Sequence, residues 1–236
     1  MKIIPASLRT DLDEILKDIS NLNKVCDLVS IDLCDGIFVP SQTWLPNEKD
    51  LNEKQKDKKI FSEMIKNQNL EFDLMVIDLP KYLNLVLEFG ASRVVIHSND
   101  AKVISACIDL IRKRREEHQD NFTEKNIVNF NFINFKLGLC SDQENILQEF
   151  ASQVDYIQIM GIEKLGFQQQ PFSENTLQKI QNIRKFYDGI IQIDGGMNLI
   201  NIRKCLAAGA NNFVVGSAIF GHDNPAENYK KIVQEI

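Results

Sequence analysis

Hydrophobic positions along this chain keep changing their period. Short runs rich in β-branched residues alternate with longer stretches whose apolar residues recur every three or four positions, the pattern of strand–helix units wrapped around a parallel sheet. Eight runs read as strands: Ile3–Ala6, Leu28–Leu33, Leu70–Met75, Arg93–His97, Phe135–Cys140, Tyr156–Met160, Ile190–Asp194 and Asn212–Val215. Helical spacing covers Leu12–Leu22, Pro80–Phe89, Lys102–Glu117, Ile146–Ala151, Glu174–Tyr187, Ile200–Ala208 and Ala226–Val233, several of them opened by Asp, Ser or Asn near a cap position. Eight strands with interleaved helices predict an α/β fold, a TIM (β/α)8 barrel spanning 1–236 as one domain. The rival is an open doubly wound sheet. Against it, no G-x-G-x-x-G follows the first strand, and Gly90, Gly189 and Gly209 stand where helices give way to strands.

Two segments exceed a minimal barrel. Pro46–Lys59 is charged with Leu51 as its one apolar residue, so it reads as a solvated insertion after the second strand, either an exposed loop or short helix or a lid over the site. The stretch from Asn126 to Phe135 alternates Asn with apolar residues and reads as an extended ribbon. It leads into a strand, which puts it at the end away from chemistry, suited to packing or subunit contact.

Composition narrows the function classes. With 44% hydrophobic and 25% charged residues, 11 Gly and 6 Pro, the chain is neither disordered nor collagen-like. Twenty-seven basic against 33 acidic residues leave a net charge of −6, which speaks against a nucleic-acid partner. The one basic cluster, Arg112 to Arg115, ends an amphipathic stretch and reads as a solvated helix end. Five dispersed cysteines without a C-x-x-C pair fit reduced thiols. No apolar run approaches the length of a membrane helix, and the short start before Pro5 is no signal core. Together these predict a cytoplasmic protein.

In a TIM barrel the reactive groups sit at the C-terminal ends of strands. Three of those ends carry aspartate: Asp32, Asp73 and Asp194. Ser30 and Asp32 share one strand face while Val29 and Ile31 take the other, which puts Asp32 inside the barrel. A carboxylate there must be hydrogen-bonded, protonated or metal-bound. Capping by loop amides is the plainer alternative for any one aspartate; three strand ends together favour function.

Several blocks now combine into a resemblance. Pro5-Ala6-Ser7-Leu8 with Asp11, Ile31-Asp32-Leu33-Cys34-Asp35-Gly36-Ile37-Phe38-Val39-Pro40, Asp73-Leu74-Met75-Val76, Met160, Gly166-Phe167, Asp194-Gly195-Gly196 and Val215-Gly216-Ser217-Ala218-Ile219-Phe220 occur in the order and spacing of ribulose-phosphate 3-epimerases. The chain resembles that family over nearly its whole length. The resemblance implies a barrel that inverts one carbon of a ketose phosphate, with Asp32 and Asp194 as the two acids on opposite faces of the substrate. It implies a divalent metal that stabilises the enediolate, Met75 and Met160 lining the site, and Ser7, Gly166, Phe167, Gly195, Gly196, Gly216 and Ser217 around substrate and phosphate. It also implies a homo-oligomer with a small phosphorylated sugar as its ligand, and no nucleic-acid or membrane partner. The late glycines could instead simply turn the chain after strands seven and eight.

The departures from the family pattern matter as much. The family ligates its metal with two histidines and two aspartates, whereas this divergent chain has Ser30 and Asp73 at the histidine places. A donor set of Asp32, Asp73, Asp194 and Ser30 is all oxygen and favours Mg²⁺ or Mn²⁺ over zinc. Three aspartates with a dication sum to −1, a worse setting for an enediolate than the family's neutral sum. The other possibility is a metal-free site in which at least one carboxyl has a raised pKa and a protonated Asp73 donates to the oxyanion. His97 ends the fourth strand and suits a core or loop hydrogen bond; His118 and His222 read as exposed. Ala6 stands at a family serine, with Ser7 adjacent; Cys34 stands at a methionine. Gln168 and Gln169 replace two glycines of the phosphate loop, and Ser141-Asp142-Gln143 lacks the family's Asn-Pro. A sugar-phosphate-binding barrel without turnover, acting as sensor or partner subunit, is one alternative. A ketose-phosphate lyase is the other, disfavoured because Asp73-Leu74-Met75 brings no lysine.

Overall fold

The computed structural model describes residues 1–46, 68–120, 135–166, 170–221 and 223–236, with 117–120 defined by their backbone alone. Eight parallel strands pair in chain order and close on themselves: β1 (Lys2–Ser7), β2 (Leu28–Cys34), β3 (Asn69–Met75), β4 (Arg93–His97), β5 (Lys136–Cys140), β6 (Tyr156–Met160), β7 (Ile190–Asp194) and β8 (Asn212–Val215). Closure comes from β1 pairing with β8 in the register Lys2↔Asn212 to Pro5↔Val215. Around the barrel lie α1 (Leu12–Leu22), α2 (Leu79–Glu88), α3 (Ala101–Asp120), α4 (Glu144–Phe150), α5 (Asn175–Arg184), α6 (Leu199–Ala208), α7 (Ser217–Phe220) and α8 (Pro225–Glu235). The TIM barrel expected from the periodicity is the fold observed, and element ends move by only a few residues.

Local chemistry sets the helix ends. Asp11 caps α1 by accepting the Asp13 amide at 2.8 Å and that of Glu14 at 3.4 Å, which satisfies donors that have no partner within the helix. Asn198 does the same for α6 through Asn201, and α6 ends on Gly209 at φ 117°, a left-handed cap that glycine adopts without a steric penalty.

Strand alternation divides the interior in two. Outward-facing residues such as Ile31, Phe72, Val94, Leu139, Ile157, Ile193 and Phe213 pack against the helices in one large apolar cluster, and this shell supplies most of the burial that drives folding. The inward face is different. Ile4, Ala6, Leu28 and Val214 form a small apolar group, while Glu71, Arg93, Tyr156, Gln158 and Gln192 are buried and polar. Tyr156 fits inside because β5 has Gly138 opposite it: a Cβ there would lie 2.4 Å from the ring. Among the described residues no helix is long and apolar enough to cross a membrane. Most of the charged insertion (47–59) and the Asn/apolar stretch up to residue 134 lie outside the described residues.

Candidate active site

The strand ends converge on one cleft that opens to solvent. Asp32 and Asp194 line it from β2 and β7, with Met75 and Met160 from β3 and β6 and Ala6 and Val214 from β1 and β8. Gly166, Gly195, Gly196, Gly216 and Ser217 line its rim. Gly195 and Gly196 have φ of 98° and 68°, and a Cβ on Gly196 would lie 2.9 Å from the Phe172 backbone. Only glycine turns the chain there and leaves main-chain groups at the cleft.

Loops brace both acids by their backbones. The chain after β2 doubles back so that Thr43 Oγ1 donates to the Asp32 carbonyl at 2.9 Å and accepts the Cys34 amide at 2.8 Å. Asp35 accepts amides from Ile37, Phe38 and Ile77, each at 2.8 Å. Although its partial burial pushes upward, these amides hold its pKa below the usual carboxylate value. The Asp194 carbonyl receives the Gly161 amide at 2.5 Å, and Ser41 Oγ donates to the Gly166 carbonyl across the mouth.

The carboxyls of Asp32 and Asp194 both have raised pKa values. Burial, then the charges of Asp194 and Asp73, raise Asp32 well above its ordinary value. Burial, then Asp73, push Asp194 up to about 8, against the opposing pull of His97 and the Gly195 amide. Asp32 Oδ1 and Ser30 Oγ are sealed from solvent and have no hydrogen-bond partner among the described residues. Both face inward from β2, so a ligand can satisfy them.

Asp73 behaves differently. Its Oδ1 lies 2.6 Å from His97 Nε2, and its Oδ2 accepts Gln158 Nε2 at 2.6 Å. Burial alone would pull the His97 imidazole down, yet Asp73 and Cys140 beside it hold its pKa well above the ordinary value. His97 is therefore the core hydrogen-bonding histidine expected, packed edge-on against Phe38.

Three sequence expectations need correction. Ser7 does not replace the missing serine at position 6: alternation turns it outward, where it donates to Asp18 Oδ2 at 2.8 Å beside the Arg9–Asp18 ion pair. The cleft wall at position 6 is therefore the methyl of Ala6. The all-oxygen metal set is not assembled either. Among the described residues no three His, Cys, Asp or Glu side chains come together as a metal-holding group, and Asp73 is not among the residues that line the cleft. Nor is Asp73 free to donate to an oxyanion in the cleft, because its oxygens meet His97 and Gln158 inside the barrel and it does not line the cleft. Phe167, Gln168, Gln169 and His222, and the side chain of His118, lie outside the described residues. Sequence reading missed Gln170 and Leu8 on the cleft and the polar residues beneath it. The alternation argument used on β2, applied to Glu71-Phe72-Asp73 and Tyr156-Ile157-Gln158, would have found the latter.

Comparison with known proteins bears on this geometry. A family model described as the ribulose-phosphate 3 epimerase family matches residues 2–220. The chain belongs to the ribulose-phosphate 3-epimerase family. Relatives named ribulose-phosphate 3-epimerase include those of Buchnera aphidicola (25% identical, covering 99% of this chain and 92% of that protein), Serratia marcescens (27%, 93% and 95%) and Escherichia coli K12 (26%, 99% and 93%). Among solved structures, 3-hexulose-6-phosphate synthase superposes with a TM-score of 0.68 at 17% identity, covering all of both chains. Orotidine 5'-phosphate decarboxylase from Pyrococcus horikoshii OT3 reaches 0.59 at 16%, covering 99% and 98%. At that identity these two share the fold alone. Within this fold Asp32 and Asp194 are the two acids that line the cleft, both with raised pKa values.

Proposed function

We propose that this member of the epimerase family inverts C3 of a pentose ketose phosphate, with ribulose 5-phosphate as the substrate to test first. The observation that carries the reading is the pair of acids, Asp32 half-buried and Asp194 buried, on strands β2 and β7 of one cleft, both raised in pKa and flanked by Met75 and Met160. Two such carboxyls share protons as a unit. Inversion starts from the state in which one of the pair has given up its proton and the other keeps it.

The step balances within the substrate and the pair. The ionised carboxylate takes the proton from C3 and the C–H electrons move into a C2–C3 double bond, leaving the negative charge on the C2 oxygen. The protonated partner returns a proton to C3 from the opposite face, the enediolate collapses to the ketone, and the two carboxyls have exchanged protonation states. Thioether and alkyl walls offer no competing proton. Gly195, Gly196, Gly216 and Ser217 bring main-chain groups to the rim where a substrate phosphate would sit. No step is assigned to a metal ion, because the expected donor set does not fit one.

Incubation of the purified protein with ribulose 5-phosphate in D₂O, followed by NMR, tests this. The expected result is xylulose 5-phosphate and deuterium at C3 in both epimers. Tight sugar-phosphate binding with neither product nor label would refute turnover and leave a binding barrel.

A further inference from the structure

Beneath the two acids the barrel interior is an unbroken polar column. From the bottom, Arg93 Nε lies 2.7 Å from Glu71 Oε2, and the guanidinium stacks over the Tyr156 ring at 4.2 Å. Tyr156 OH donates to Glu71 Oε2 at 2.8 Å. Gln192 accepts from Arg93 at 2.7 Å through its Oε1, and its Nε2 donates to both Glu71 Oε1 and Gln158 Oε1 at 2.8 Å. Gln158 Nε2 then donates to Asp73, whose other oxygen meets His97.

Every member of this column is buried, and its order fixes the roles. The Gln158 amide has its oxygen engaged by Gln192, so its NH₂ points up at Asp73; a flip would set oxygen against oxygen at Asp73 and NH₂ against NH₂ at Gln192. Asp73 is not among the residues that line the cleft, and His97 and Gln158 hold its two oxygens at 2.6 Å within the barrel, so a metal in the cleft would have to draw it away from both partners.

We propose that Asp73 is a positioning residue, the clamped top of this column, and not a metal ligand: His97 and Gln158 hold it, and it in turn fixes the floor on which Asp32 and Asp194 work. Asp73 pairs in register with Asp32 across β2 and β3, so its placement sets the local geometry of the neighbouring acid. The kinetic part of this inference rests on the epimerase reading; the metal part does not.

Calorimetric titration of Mn²⁺ into the full chain and into its Asp73→Asn variant tests the metal part. Superimposable isotherms are expected, and a one-to-one binding event present in the wild type and lost in Asp73→Asn overturns the proposal. In the ribulose 5-phosphate assay, Gln158→Leu and His97→Leu should lower kcat by about 10- to 100-fold, as small misplacements of reacting groups do, with KM within about threefold. His97→Gln, which keeps a donor for Asp73, should regain most of the loss. Leucine variants whose kcat per folded molecule equals the wild type's overturn the positioning role, even if they melt earlier. If a leucine variant does not fold, the Mn²⁺ isotherms and the His97→Gln kinetics decide. If the wild type lacks epimerase activity, the isotherms alone decide, and failure of the functional reading stays distinct from failure of this one.

Discussion

Replacing Glu71 by leucine removes the hub of the barrel's polar interior. Glu71 is fully buried and serves Arg93 at 2.7 Å, Tyr156 OH at 2.8 Å and Gln192 Nε2 at 2.8 Å. Breaking a buried ion pair from one side costs about 3–5 kcal/mol, and each neutral donor left without an acceptor adds about 1–3 kcal/mol. Partial relaxation should bring the total to about 5 kcal/mol, the lower end of what holds an ordinary domain together. Glu71→Leu/Arg93→Met removes both charges and leaves only the Tyr156 hydroxyl and Gln192 amide wanting acceptors. It should therefore be more stable than Glu71→Leu alone, and less destabilised than the two single variants summed by at least about 2 kcal/mol. For a chain of this size, 2 kcal/mol corresponds to about 4–8 °C in Tm. Urea unfolding and thermal melts of the four proteins, followed by far-UV circular dichroism, measure the coupling. Strict additivity would refute the reasoning, because it would mean that the charges do not sense each other.

Other outcomes follow from the same geometry. Asp32→Asn and Asp194→Asn should each cut C3 deuterium exchange by at least about 100-fold, the scale of lost acid–base catalysis, measured by NMR in D₂O. Asp194 is raised to about 8 when folded, so the native state binds the extra proton; stability should fall as pH rises from about 4 to about 8, and Asp194→Asn should flatten that slope in Tm-versus-pH profiles. Gly138→Ala forces a Cβ to within 2.4 Å of the Tyr156 ring and should cost about 1–3 kcal/mol by overpacking, seen as an earlier melt. Ser7→Ala should lower stability by about 1.5–3 kcal/mol through its lost bond to Asp18 and leave KM and kcat within about twofold, since its hydroxyl points away from the cleft.

Much of this protein was legible before its coordinates because a parallel barrel writes itself as alternation. The apolar outer faces of β2 to β8 are what a period count detects, and so all eight strands appeared in place. That Asp32 and Asp194 would meet at one cleft was legible for the same reason, since both finish strands whose ends surround it. The misreadings came where one residue's role depends on a partner far away in sequence. Nothing near Asp73 announces Gln158, 85 positions on, so the partners that hold this aspartate inside the barrel could not be read from its own stretch of sequence. Ser7 was misplaced for a nearer cause, since adjacency to Ala6 counted for more than the two-residue alternation that sends neighbours to opposite faces.

The fit between Tyr156 and Gly138, and the hub at Glu71, also bear on how such a sequence can drift. A descendant that lost Arg93 would inherit an unmatched anion at its centre, and one that enlarged position 138 would have nowhere to put the phenol. Substitutions here should therefore be inherited in concert across β3, β4, β5, β6 and β7, while the outer shell changes one methyl at a time.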